Sequence, residues 1–254
     1  MTAVRYFIYL SYDGTLYHGW QIQPNGLSVQ EVLQRNLALL LRAPEMDIVG
    51  AGRTDAGVHA RLMVAHFDWP EPFDAPQLVY KLNKLLPPDV VVHRIEPVAS
   101  DMHARFSATS RTYHYFLHLA KDPFRRSYSW KCFANLDFQR MNEAAATLLE
   151  YTDFTSFSKI SEDVKTNLCT VSEAHWDETE PGCWRFTITA NRFLRNMVRA
   201  IVGTLVDVGR GRMSVADFRR VIERQDRSLA SSSAPACGLF LVDVRYDKEA
   251  LACG

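Results

Sequence analysis

The chain has 254 residues, 47% hydrophobic and 23% charged, and its 29 Lys and Arg balance 29 Asp and Glu to a formal net charge of zero. That length suits one large domain or two of about 125 residues. The apolar fraction excludes a disordered chain, and neutrality excludes a uniformly basic nucleic-acid clamp. No window approaches the roughly 18 to 20 consecutive apolar residues of a membrane span. Met1 to Phe7 runs straight into a strand pattern without a signal-peptide layout. Cys132, Cys169, Cys183, Cys237 and Cys253 form no C-x-x-C pair. They read as free thiols in a reducing cytoplasm, with no metal site.

Taken in order, Val4 to Tyr12 alternates and is rich in β-branched and aromatic residues, which predicts a strand. Ser28-Val29-Gln30-Glu31 is a capping-box sequence. The helix after it carries Val32, Leu33, Asn36, Leu37, Leu40 and Leu41 as a stripe up to Pro44. Ile48 to Gly50 is a short strand, Leu62 to Asp68 a strand, Pro76 to Leu85 a helix and Val90 to Ile95 a strand. A similar order then recurs. Arg111 to Ala120 is a strand, and Asp137 caps a helix to about Glu150 with Met141, Ala145, Leu148 and Leu149 inward. Cys183 to Ala190 is a strand, Phe193 to Val208 and Ser214 to Gln225 are helices, and Leu239 to Tyr246 is a closing strand. Strands and helices without strict alternation predict an α+β fold with mostly antiparallel sheet. No flexible linker separates the two halves, which should share a packed interface.

The zero charge is unevenly spread. His103 to Lys131 holds six basic residues and one acid, and Thr187 to Arg227 holds nine arginines and four acids, so each window carries +5 and the remainder −10. Such islands fit a docked polyanion, or equally two solvated arginine-rich faces. On a helix from Phe193 to Val208, the residues Phe193, Leu194, Met197, Val198, Ile201, Val202 and Leu205 cover one face. Arg192, Arg195 and Arg199 would then stack within about 60° on the other, a cluster that asks for an anion.

Gly50-Ala51-Gly52-Arg53-Thr54-Asp55-Ala56-Gly57-Val58-His59 is neither a phosphate-binding loop with G-K-[ST] nor a G-x-G-x-x-G fingerprint. It offers one acid between glycines that permit tight turns and close approach of a ligand. Arg53, two residues before Asp55, could face the same side and hold the carboxylate ionised. Two readings stay open on these residues alone: an aspartate capping a turn, or a catalytic acid.

This loop resembles the catalytic motif of the tRNA pseudouridine synthase A family. So do Ser11-Tyr12-Asp13-Gly14-Thr15 with Gly19-Trp20-Gln21, and His103-Ala104-Arg105-Phe106-Ser107-Ala108 with Arg111-Thr112-Tyr113-His114-Tyr115. Ala190-Asn191-Arg192-Phe193-Leu194 with Met197-Val198-Arg199, and Gly238-Leu239-Phe240-Leu241-Val242, complete an ordered series along the whole chain. The resemblance implies isomerisation of uridine to pseudouridine at positions 38, 39 and 40 of the tRNA anticodon stem-loop, without metal or organic cofactor. Asp55 matches the catalytic aspartate, Arg199 the arginine that pairs with it, and Tyr113 the tyrosine that stacks on the target base. Arg53, Arg105, Arg192 and Arg195 are then expected on RNA. Tyr12, Trp20 and Phe106 could stack on bases, although buried packing is the plainer role for them. His59 and His103 read as hydrogen-bonded loop histidines.

Family analogy also implies a cytoplasmic homodimer with tRNA across both subunits. The expected fold is α+β, with two related halves, 1–104 and 105–254. Their mostly antiparallel sheets would join into one extended sheet, with helices on one side and the catalytic cleft between the halves. Met63, Cys169 and Ser231-Ser232-Ser233 depart from the family pattern and put some tRNA contacts in question. A non-catalytic RNA-binding protein has no need of the Asp55, Arg199 and Tyr113 set. A glycoside-type hydrolase would need a second carboxylate, and none lies near Asp55 in sequence.

Overall fold

A computed structural model describes residues 3–132, 135–159 and 166–247; Cys253 lies outside them. The fold is mixed α and β with mostly antiparallel pairing, as expected, and the described residues hold nine strands and five α-helices. Two compact units divide the chain. One comprises Met1–Thr109 and Leu241–Gly254, the other Ser110–Phe240, where the sequence suggests 1–104 and 105–254.

The first unit is built on β1 (Val4–Tyr12), whose Phe7, Ile8, Tyr9 and Leu10 are all buried, as a strand covered on both faces requires. Helix α1 (Val29–Leu41) follows, then β2 (Val49–Gly50), β3 (His59–Trp69), α2 (Ala75–Leu85) and β4 (Val90–Val98). Strand β1 pairs antiparallel with β3 on one side and β4 on the other, and β2 pairs with β3. Ser28 caps α1 by accepting the Glu31 amide at 3.2 Å. The reciprocal half of the expected capping box does not form, since Glu31 turns instead to Arg35, one helical turn on. Asp74 caps α2 through the Gln77 amide, with Pro76 in the first turn, where its missing N–H costs nothing. Strand β4 continues to Val98, beyond the expected Ile95, although it includes Pro97. A strand pairing on one side can tolerate a proline whose nitrogen faces outward.

The second unit holds most of β5 (Ala108–His118), then β6 (Trp130–Lys131), α3 (Phe138–Thr147), β7 (Val171–Glu180), β8 (Cys183–Ala190), α4 (Met197–Gly209) and α5 (Val215–Glu223). Strand β9 (Leu239–Tyr246) closes the described chain and spans the division between units. Strand β8 pairs antiparallel with both β5 and β7, while β6 adds a short parallel pair to β5. Ser214 and Asp217 form a full capping box on α5.

Three expectations need correction here. Strand β7 is absent from the sequence reading, because register shifts at both ends break its period-2 pattern and its outward residues are mostly acids. Asn142 of α3 holds it, exchanging two hydrogen bonds with the Trp176 backbone at 3.0 and 2.6 Å. The helix after Asp137 gives way to a single 3-10 turn at Leu148–Glu150, which leaves Leu149 half exposed rather than inward. Helix α4 starts at Met197, four residues later than expected. Asn196 before it is left-handed (φ 66°), and the Met197 amide bonds the Leu194 carbonyl in a turn.

Candidate active site

The loop at residues 51–58 joins β2 to β3 in the first unit. Chain from Tyr12 to Trp20 forms its bed. The Thr54 hydroxyl meets the Tyr12 hydroxyl at 2.9 Å, and the Thr54 carbonyl accepts the Trp20 amide at 3.3 Å. Close approach dictates two glycines there. A Cβ on Gly14 would lie 1.9 Å from the Val58 carbonyl oxygen, and one on Gly19 2.2 Å from that of Thr54. The Val58 amide then bonds the Asp55 carbonyl at 3.1 Å, closing a tight turn around the aspartate. Thr54 is buried, whereas Arg53 is exposed and Asp55 half-buried.

Tyr12 and Trp20 are buried and lie ring to ring, centroids 6.2 Å apart, so they support the loop rather than present a surface for bases. Phe106 is 75% exposed. His59 is buried at the end of the loop, its Nδ1 accepting the Gly14 amide at 3.1 Å and lying 2.9 Å from the Asp13 carboxylate, as a structural loop histidine. A cavity of about 490 Å³ in this unit contains no residue of the loop; Glu45, Asp47 and Asp68 line it, Asp68 being paired with Arg5 at 2.8 Å, and the two other carboxylates disfavour a polyanion.

In the second unit, Tyr113 sits on β5 opposite Ile188 of β8, buried, with its ring edge-on to Phe193 at 5.0 Å. Arg199 lies near the start of α4, most of whose side chains are buried. Its Nε donates to the Ala234 carbonyl at 2.7 Å, and its own carbonyl accepts the Ala234 amide at 2.9 Å. The guanidinium is thus fixed from a distant stretch of chain. Gly203 permits that approach, because a Cβ there would stand 2.0 Å from the Ser232 carbonyl oxygen.

The expected stack of three arginines does not form. Arg192 and Arg195 precede the helix, so helical spacing does not apply to them, and only Arg199 belongs to α4. Arg192 is half-buried and Arg195 exposed. Much of the basic window from Thr187 to Arg227 also serves internal bonding. Arg219 forks onto Glu150 at 2.6 Å, Arg210 and Arg212 reach Asp207 at 3.5 Å, and Arg220 pairs with Asp217.

The departures from the family pattern are also internal. Met63 and Cys169 are buried, and burial pushes the Cys169 thiol up to about 11. Ser231 bonds Asp207 at 2.7 Å, and Ser233 accepts from Asn196 at 2.7 Å. None of the four described cysteines is in a disulfide. Sequence reasoning passes over His66, a buried imidazole on β3 whose alternating strand gives no sign of a polar partner.

The glycine bed and the single half-buried acid, in a mixed α and β fold of mostly antiparallel strands, make the loop at residues 51–58 the candidate active site. The sequence model of a family described as tRNA pseudouridine synthase matches residues 8–107 and 144–247. The chain is 60% identical over 247 residues to the tRNA pseudouridine synthase A of Bacteroides thetaiotaomicron, covering 96% of this chain and 91% of that protein. It is 58% identical over 250 residues to the protein of that name from Bacteroides fragilis, covering 98% and 99%. To the one from Bacillus subtilis it is 42% identical over 241 residues, covering 94% and 97%. The chain belongs to the tRNA pseudouridine synthase family and is an isomerase that acts on uridine in tRNA. Among the described residues no helix is long and apolar enough to cross a membrane.

Proposed function

We propose that the enzyme converts uridines 38, 39 and 40 of the tRNA anticodon stem-loop to pseudouridine, with Asp55 as its catalytic aspartate. The reaction breaks the bond from N1 to C1′, turns the uracil, and joins C1′ to C5. The C5 proton is lost and N1 takes one up, so the product is an isomer. Attack on C1′ and removal of the 2′ proton both call for an ionised carboxylate beside the sugar. Asp55 is the one acid of the 50–59 loop, in a turn whose neighbours are locked by Tyr12, Gly14 and Gly19. That preorganisation is the observation that carries the reading.

In this reading Arg199 pairs with the Asp55 carboxylate and Tyr113 stacks on the target base and assists at C5. Arg53, Arg105, Arg192 and Arg195 contact RNA phosphate or help turn the nucleotide out of its stack. The reaction runs without metal or organic cofactor, in the cytoplasm, on a homodimer. The test uses an anticodon stem-loop transcript carrying tritium at C5 of its uridines. Wild type should release tritium, and Asp55→Asn should bind the transcript equally well and release essentially none. No release from wild type, or equal release from Asp55→Asn, overturns the reading. Light scattering of the purified protein addresses the assembly, and a stable monomer at working concentration counts against the dimer.

A further inference from the structure

The turn from Met102 to Ser107 is held with unusual completeness for a surface segment. All six of its amides find acceptors within it or beside it. Met102 bonds the Ala99 carbonyl (3.0 Å), His103 the Ser107 hydroxyl (2.9 Å) and Ser107 the His103 carbonyl (2.9 Å). The other three donate to imidazole nitrogens. Ala104 donates to His66 Nδ1 at 3.2 Å, and Arg105 and Phe106 both donate to His103 Nδ1, at 3.1 and 3.3 Å. The two imidazoles meet edge to face with centroids 4.6 Å apart. The carbonyls are tied as well, Met102 by Arg5 at 3.0 Å and Ala104 by the Tyr246 hydroxyl at 2.6 Å.

What this scaffold holds outward is one cation and one large aromatic ring. Arg105 is exposed, Phe106 is 75% exposed, and the guanidinium lies 5.5 Å from the ring centroid. The Phe106 ring rests on His103, centroids 4.4 Å apart, which fixes its plane. A rigid ring beside a guanidinium fits one nucleotide of unpaired RNA, with stacking for the base and charge for its phosphate. A purely structural turn would gain stability by folding the ring inward, since burying a phenylalanine is worth about 1.5–3 kcal/mol.

We propose that Phe106 and Arg105 form a contact for one unstacked nucleotide of the tRNA, and that His66 and His103 are positioning residues which hold that contact by accepting the amides of residues 104–106. The inference rests on the proposed function only in that the ligand is RNA; it does not depend on which uridine reacts. Neutral imidazoles are required, since a protonated Nδ1 accepts nothing.

Two readouts on the full-length enzyme test it: Kd for a tRNA transcript by filter binding, and kcat and KM for tritium release. His103→Leu should weaken binding and raise KM about tenfold, the scale of one lost stacking contact, with kcat within about twofold. His103→Asn, whose Oδ1 can accept the same amides, should return KM to within about threefold of wild type. Phe106→Ala should match His103→Leu, and the double variant should be no worse than either, because both remove one contact. Unchanged Kd and KM in His103→Leu and Phe106→Ala overturn the inference. So does a lowered melting temperature with unchanged KM, which would assign His103 to stability alone. Failure of wild type to release tritium from positions 38–40 overturns the proposed function instead, and leaves the Kd comparison to decide on the turn.

Discussion

Gly19 and Thr54 approach so closely that a methyl group on the glycine would lie 2.2 Å from the threonine carbonyl oxygen, and Gly19 is left-handed at φ +86°. Steric overlap and backbone strain act together there. Gly19→Ala should destabilise the protein by about 2–4 kcal/mol and displace Asp55, lowering turnover more than tRNA affinity. At Gly52, in the same loop, an added Cβ would meet no atom within 4 Å, so Gly52→Ala should stay within about 0.5 kcal/mol of wild type. Urea unfolding of the pair checks this, and equal losses at both positions would sink the argument.

Asn196 precedes α4 with φ 66° and donates through Nδ2 to Ser233 Oγ at 2.7 Å. Asn196→Ala meets the left-handed penalty and loses the bond, for about 1–2 kcal/mol. Asn196→Gly loses only the bond and should be the milder change. The opposite order in thermal melting would show that the left-handed backbone is not what makes Asn196→Ala costly.

Burial lowers His66 to about 4, helped by His103 and Arg5 and opposed by Asp68 and Asp47. Its folded value lies below the unfolded one, so the native imidazole stays neutral while the unfolded one charges. Stability from this group is complete above about pH 6.5 and lost as pH falls towards about 4, by at most about 3 kcal/mol. Unfolding free energies at pH 7.5, 5.5 and 4.5 should therefore fall more steeply for wild type than for His66→Gln. Parallel curves would refute the assignment.

Gly203→Ala drives a methyl group against the Ser232 carbonyl and shifts the stretch of chain that carries Ala234. Since Ala234 grips Arg199 at both its backbone and its Nε, the guanidinium should lose its aim. The expected result is a fall in kcat of roughly tenfold or more, of the kind that a small misplacement produces, with tRNA affinity little changed. A pure stability loss with normal kcat would separate Gly203 from the site.

How much of this is legible in the sequence? Strands β1, β8 and β9 and helices α1, α2 and α5 follow from alternation, spacing and capping residues that act locally. The Gly50 to His59 loop stands out because glycines flank a single acid. Features decided by distant chain are not legible. Strand β7 depends on Asn142 of α3, the start of α4 depends on a left-handed Asn196 tied to Ser233, and the role of His66 depends on an amide 38 residues away. Part of the second charge window is likewise answered from afar, since Glu150 pairs with Arg219 from 69 residues off.

Pro97 leaves β4 one amide short. Strand β4 pairs with β1 on one side, and a second chain adding to its other side would find the ladder of donors interrupted near the Val98 end. Whatever assembly the enzyme adopts, continuation of a sheet through this stretch is a poor route to it. A dimer formed over this stretch of β4 would have to be built from side chains, which makes its strength open to tuning one residue at a time.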